Sequence, residues 1–229
     1  MTRTDPSGGM VAAGLLLLVA GFVDAVAFIY LQANFVSFMS GNTTVMGVSP
    51  SLGHWSDVAV CAGLIALFFV GVFLGSVVNR TRRRPREFLV WTIAAATTVG
   101  AVLVSLEPVA AAGDMEGAGV AGMLVVAVAT GMINAIFEKE AAVPYGLTYI
   151  TGTLVRSARQ LADTVVGETP GRRWSWLGSL GMWSLLAVGA VGGGYCYRWM
   201  SLPAMWIPAT LLAAMALTIS LARVARPTG

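Results

Sequence analysis

The sequence predicts an all-α integral membrane protein with six transmembrane helices arranged as a 3+3 inverted repeat. Short broken or re-entrant helices are expected after the first and fourth spans. Three observations predict this. The 229-residue chain is 57% apolar and only 11% charged, whereas soluble domains carry roughly 25% charged residues; its mean hydropathy is +0.78. Six apolar runs, near Met10–Tyr30, Val58–Val78, Phe88–Leu106, Gly117–Phe137, Trp176–Tyr197 and Leu202–Leu221, can each cross a hydrocarbon core about 30 Å thick, which takes roughly 20 helical residues. Two short polar motifs also recur. Val36-Ser37-Phe38-Met39-Ser40-Gly41-Asn42 matches Leu147-Thr148-Tyr149-Ile150-Thr151-Gly152-Thr153 type for type, and Gly21-Phe22-Val23-Asp24-Ala25 matches Gly131-Met132-Ile133-Asn134-Ala135. Three spans lie from one copy to the next, and an odd number inverts the second copy in the membrane, as in many secondary transporters. The chain reads as a single transmembrane domain over residues 1–229, with repeat 1 at about 10–107 and repeat 2 at about 117–223.

The spans are helices because every backbone polar group in hydrocarbon must be satisfied internally and nothing alternates as a barrel strand does. In the first span, Ala25-Val26-Ala27 resembles a secretory cleavage site. A single Arg3 precedes the run, five further spans follow it, and Asp24 would sit just before the cut, so it reads as a retained helix. Asp24 lies about two-thirds of the way through that span. An ionised carboxylate near mid-bilayer costs roughly 2.5–3.5 kcal/mol on insertion scales. Asp24 is therefore expected to bind a proton or cation, to pair with a buried base, or to accept hydrogen bonds from the nearby motif. Its repeat partner is Asn134, isosteric and not titratable.

Gln32 to Val48 mixes polar Asn34, Ser37, Ser40, Asn42, Thr43 and Thr44 with apolar residues, and Val143 to Val155 does the same around Pro144, Gly146 and Gly152. Such segments suit helices broken at Gly41 and Gly152 that line a cavity. Asn42, Thr43 and Thr153 would then stand near half-helix N-termini, whose N–H groups and dipole attract an anion or polar solute. The alternative is that the small hydroxyl residues only permit tight helix packing.

In the second span, Val70-Gly71-Val72-Phe73-Leu74-Gly75 corresponds to Val188-Gly189-Ala190-Val191-Gly192-Gly193 of the fifth. Gly71, Gly75, Gly189 and Gly193 have the spacing that lets helices approach closely. Arg80, Arg82, Arg83, Arg84 and Arg86 follow, and the positive-inside rule makes them cytoplasmic topology anchors; so short a polybasic loop also attracts an anionic leaflet. After the third span, Glu107 through Glu116 carries three acids and no base and is expected outside. Beyond the fourth span, Glu138, Lys139 and Glu140 are expected to pair with one another at the inner interface. Arg156 and Arg159 share one helical face and read as anchors, the alternative being that they receive an anionic substrate from the cytoplasm; the Lys139–Arg173 connection holds five bases, which places it inside. Trp174 and Trp176 inside, and Trp199 and Trp206 outside, resemble interfacial aromatics. Arg223 and Arg226 place the tail inside, so six crossings leave both termini cytoplasmic, and the net charge of +3 is largely this bias.

Several chemistries are excluded. Cys61 and Cys196 lie in apolar runs without neighbouring ligands and read as packing residues. His54 is the sole histidine and sits beside Trp55 and Asp57 near the surface, so no histidine-based metal cluster is expected and Ser40 has no buried base. No phosphate-binding loop is present, and no aromatic interleaving or motif supports nucleic-acid binding. Neither enzymatic activity nor a cofactor nor a metal is expected.

At Gly21-Phe22-Val23-Asp24-Ala25, Met39-Ser40-Gly41-Asn42-Thr43, and Asn134-Ala135 followed by Thr148-Tyr149-Ile150-Thr151-Gly152-Thr153, the chain resembles the YoaK-like family (domain of unknown function 1275) over nearly its whole length. Ser40 departs from the threonine expected there but keeps the hydroxyl. The resemblance implies a small bacterial inner-membrane protein and supplies no substrate or catalytic residue.

From the residues themselves, the expectation is a secondary transporter or exporter of an unidentified small solute. Asp24, Ser40, Gly41, Asn42, Thr43, Asn134, Thr151, Gly152 and Thr153 form its candidate substrate or ion site, at the midplane between the repeats, with proton coupling through Asp24. The alternatives are an uncoupled channel or facilitator, and a structural or regulatory membrane protein. The expected partners are membrane lipids and the solute or ion. A homodimer is compatible with so small a bundle, with Gly71/Gly75 or Gly189/Gly193 at its interface.

Overall fold

The computed structural model describes residues 6–107, 117–136, 150–167 and 174–224. The described residues form α1 (Pro6–Tyr30), α2 (Met39–Val48), α3 (Trp55–Thr81), α4 (Pro85–Ser105), α5 (Ala118–Ile136), α6 (Ile150–Val166), α7 (Ser175–Met200) and α8 (Trp206–Val224), with 3-10 turns at Ser49–Leu52 and Leu202–Met205. Among the described residues, six segments are long and apolar enough to cross a membrane: α1, α3, α4, α5, α7, and the stretch from Leu202 through α8. They coincide with the six apolar runs to about a helical turn. The last span opens on a 3-10 turn because Ser201 reverses the chain at φ 54 and Pro203 then occupies the first turn, where its missing N–H is harmless. At 10 residues, α2 is about 15 Å long at 1.5 Å per residue, half a bilayer core.

α1 and α5 are the most buried spans, and α7 turns most of its surface outward. Phe69, Phe73, Val188, Val191 and Trp199 are among the exposed large apolar residues. An apolar exterior of that extent is unusual on a soluble monomer and is what hydrocarbon solvates.

Glycines decide which helices pair. On α1 and α7, a methyl group added at Gly21 would overlap the Leu186 carbonyl, one at Gly189 the Leu18 carbonyl, and one at Gly193 the Phe22 carbonyl. On α3 and α5, Gly71 meets the Val128 carbonyl, Gly131 the Phe68 carbonyl, and Gly75 the Ala135 side chain. Both pairs therefore pack backbone on backbone, and the rising residue numbers show that the helices within each pair run parallel. Gly71, Gly75, Gly189 and Gly193 are consumed by these internal contacts. These four residues thus serve contacts within one chain rather than the interface with a second copy expected of them, while Gly194 beside them meets nothing within 4 Å.

α4 packs against α5 and, antiparallel, against α8. Trp91 Nε1 donates to Ser220 Oγ at 3.0 Å and Trp206 Nε1 to Ser105 Oγ at 3.1 Å, fastening both ends of the α4–α8 seam. The Asn79 amide at the end of α3 donates to the Ala135 carbonyl of α5.

Candidate functional site

The apolar run of α1 ends at Leu31, and the next residues turn the chain back on itself. Gln32 and Ala33 adopt φ values of 49° and 78°, a left-handed conformation that L-residues occupy seldom. Ala33 N–H donates to Phe28 O at 2.9 Å, the long-range closure found at helix C-termini. Asn34 Nδ2 donates to Leu31 O at 2.7 Å, satisfying a carbonyl that the ended helix leaves open.

The reversed segment is held by Asp24. Its Oδ1 accepts from Val36 N–H at 2.9 Å and Ser37 N–H at 2.7 Å, and its Oδ2 from Ser37 Oγ at 2.5 Å. Asp24 lies six residues before the last residue of α1, about 9 Å back along the axis at 1.5 Å per residue. Residues 32–38 therefore re-enter the bundle before α2 leads out again. Two further spans pin the same segment: Thr130 Oγ1 on α5 donates to Val36 O at 2.6 Å, and Cys61 Sγ on α3 to Asn34 Oδ1 at 2.8 Å. Unsatisfied backbone groups in an apolar interior cost several kcal/mol each, so these side chains are what permit an unwound chain at this depth. Among Asp24's hydrogen bonds, all three donors belong to this segment.

Asn42 completes the turn. Its Oδ1 accepts from Phe35 N–H at 2.8 Å and its Nδ2 donates to Phe35 O at 2.6 Å, a two-bond ring across the start of α2. Gly41 lies beneath aromatic rings: an added Cβ would come within 2.6 Å of Phe38 and 2.9 Å of Phe35. Rings pack in series from Phe28 to Phe35, tilted at a centroid separation of 5.2 Å, and from Phe35 to Phe38, edge to face at 5.3 Å. Replacing Asn42 with alanine is expected to destabilise the protein by about 1–3 kcal/mol, the penalty for stranding buried polar groups. Asn42→Asp, which keeps only the acceptor, should fall between alanine and wild type in thermal unfolding.

Several expectations from sequence need correction. α2 begins at Met39, two residues ahead of Gly41, and Gly152 lies within α6. Neither glycine therefore precedes its helix, and in the first copy the break is the Asp24-bonded segment upstream. The two motif helices do not meet. α2 packs on α3 and α6 on α7, with no α2–α6 contact among the described residues. α6 carries Arg156, Arg159, Gln160 and Asp163 and buries only Ser157; a helix this polar stays at the bundle's edge, joined to α7 through Ser157 Oγ to Trp176 O at 2.9 Å and Ser179 Oγ to Gln160 Oε1 at 3.0 Å.

Of the candidate residues, Asp24 and Asn42 belong to the re-entrant turn. Asn134 is linked to it: its Nδ2 donates to Thr130 O at 3.0 Å, and Thr130 in turn holds Val36. Ser40 and Thr43 are exposed on α2 and Thr151 on α6, while Gly152 and Thr153 are half-buried. Thr43 Oγ1 bonds Met39 O at 2.9 Å along its own helix. The expectations for Glu138, Lys139, Glu140, Pro144, Gly146, Leu147, Thr148, Tyr149 and Arg226 lie outside the described residues. Ser37, Thr130 and Cys61 do more at the turn than the sequence indicated; the readable signal for Thr130 was its place one helical turn before Asn134 on the same face. His54 Nδ1 and Asp57 lie 3.6 Å apart at the exposed start of α3. Among the described residues no cluster of three or more His, Cys, Asp or Glu side chains is placed to hold a metal ion.

Comparison with known proteins adds a family. The sequence profile described as "Protein of unknown function (DUF1275)" matches residues 12–218. A UPF0700 transmembrane protein of Rhizobium meliloti (strain 1021) is 30% identical over 224 residues, covering 98% of this chain and 91% of that protein. No solved structure matches the chain.

Proposed function

The chain belongs to the DUF1275 family of multi-pass membrane proteins, and from that premise we propose that it is a small secondary transporter or exporter of a still unidentified solute, proton-coupled through Asp24. The observation that carries this reading is a carboxylate inside an apolar span whose three hydrogen bonds hold an unwound, re-entrant segment. Hydrogen bonds to an ionised acceptor are roughly twice as strong as neutral ones. Taking up a proton weakens the hold on Val36 and Ser37 and obliges the Ser37 hydroxyl to turn from donor to acceptor. The charge state of one side chain then biases the position of a segment that also touches α3 and α5, which is the linkage that proton-driven alternating access needs.

The inverted-repeat reading draws support from the glycine contacts. Gly21 with Leu186 on α1 and α7 is matched by Gly131 with Phe68 on α5 and α3, and Gly189 with Leu18 by Gly71 with Val128. These are the same sequence pairs that align in the two halves. The arginines at 80–86 favour a cytoplasmic placement of the α3–α4 loop and of both termini, in a bacterial plasma membrane.

An uncoupled channel or facilitator would use the same turn without the titration. A structural or regulatory role is favoured by one specific fact: every hydrogen bond described for Asp24 is spent on the chain's own segment.

Reconstituted vesicles carrying an internal pH dye, challenged with a solute library, separate these readings. The transporter changes the lumenal pH only when its solute is supplied, acidifying it by symport or alkalinising it by antiport, and Asp24→Asn lowers that signal to the level of protein-free vesicles. A solute-evoked signal left intact by Asp24→Asn removes the coupling role. Solute flux indifferent to the proton gradient indicates a facilitator, and no flux for any solute through a folded protein points to the structural role.

A further inference from the structure

At the opposite end of α3 from the re-entrant turn, the α3–α4 loop, the start of α4 and the end of α8 enclose an open cleft of about 400 Å³. Arg82, Arg83, Arg84 and Arg223 line it, against a single acid, Glu87. That acid is already engaged: Arg223 Nη1 lies 3.0 Å from its Oε2, and Ser220 Oγ donates to its Oε1 at 3.3 Å. The Arg82 guanidinium rests over the Phe88 ring at 4.3 Å. Arg83 and Arg84 are exposed, and the described residues offer no acid to either. The cleft thus presents a surplus of guanidinium groups, whose planar forks match phosphate oxygens.

What the cleft adjoins narrows the ligand. Its other lining residues are Phe88 and Trp91, and the outer surface continues into Leu217 and Leu221 of α8, all substantially exposed. A phosphate seated among the arginines would have apolar helix flank directly beside it, where acyl chains run. We propose that this cleft is a binding site for the phosphate of an anionic phospholipid, placed at the seam where α4 and α8 are fastened. A choline headgroup fits poorly, because its quaternary ammonium would face the same arginines. A general basic anchor would also favour an anionic headgroup over choline, but it would not distinguish arginine from lysine. An R83K/R84K variant that retains phosphatidylglycerol as well as wild type therefore overturns the proposal.

The test uses the full chain purified in detergent, so that binding is measured independently of the direction in which the chain entered the membrane. Native mass spectrometry counts retained dioleoylphosphatidylglycerol and dioleoylphosphatidylcholine. Wild type is expected to prefer the phosphatidylglycerol by about tenfold, the scale of one or two charge-assisted contacts. R83Q/R84Q should abolish the preference, and R83K/R84K, which keeps the charge, should lose several-fold in retention. Glycerol 3-phosphate, with the same phosphate and no acyl chains, is expected to leave the bound lipid in place at equal concentration. Equal retention of the two lipids by wild type overturns the proposal, as does a preference that survives R83Q/R84Q in protein eluting as a folded peak. Displacement by glycerol 3-phosphate also overturns it, by reassigning the cleft to a soluble phosphate.

Discussion

Asp24→Ala is expected to lower the stability of the folded bundle by about 3–5 kcal/mol, because it strands three donors at once and each buried unsatisfied group costs about 1–3 kcal/mol, part of which relaxation recovers. The donors are Val36 N–H, Ser37 N–H and Ser37 Oγ–H, all on a segment that cannot return to helix while Gln32 and Ala33 hold their left-handed turn. Asp24→Asn should lose less, about 1–2 kcal/mol, since its carbonyl still accepts from the backbone and the Ser37 hydroxyl can accept from its amide. Equilibrium unfolding in detergent provides the ranking. An alanine variant within 1 kcal/mol of wild type would show that the segment is not held by this carboxylate.

The second large effect concerns the glycine contacts. Gly189→Ala places a methyl group on the Leu18 carbonyl, and neither backbone can yield without the helices parting. Overpacking of this kind costs about 1–3 kcal/mol and sometimes more. α7 supplies its own control: nothing lies within 4 Å of a methyl group added at Gly178, so Gly178→Ala should be neutral or stabilise by up to about 1 kcal/mol through helix propensity. Thermal unfolding of the two variants side by side decides the matter. Equal stability would mean that α1 and α7 do not approach as closely as described.

The spans were legible because twenty-residue hydropathy is a strong signal and few sequences imitate it. Gly71 and Gly189 were legible as packing residues because small-xxx-small spacing has one common physical use. Which helices they would join was not, since a close approach requires a partner backbone that the spacing does not name. Asp24 stood out by its cost in hydrocarbon, and its bond to the motif was one of three outcomes that this cost allowed. The position of the break was misread because glycine draws attention to itself. The turn was made by Gln32 and Ala33, whose left-handed backbone leaves no mark in composition, and was stabilised from a distance by Thr130 and Cys61. Ser40, Thr43 and Thr151 have the polarity of a site, but polarity alone does not reveal which side of a short helix faces the bundle.

The backbone contact between α1 and α7 also sets a schedule for assembly. Gly21 is made about 165 residues before Leu186, roughly ten to thirty seconds earlier at 5–20 residues per second. Gly71 waits only about 60 residues for Gly131 and Val128, a third of that delay at the same rate. α3 and α5 can therefore pair before α7 is made, and until then the glycine face of α1 has no α7 backbone to meet. The carboxylate of Asp24 is better placed: the donors it holds are made within the next 13 residues, so the most polar group in the first helix is masked before its neighbours arrive.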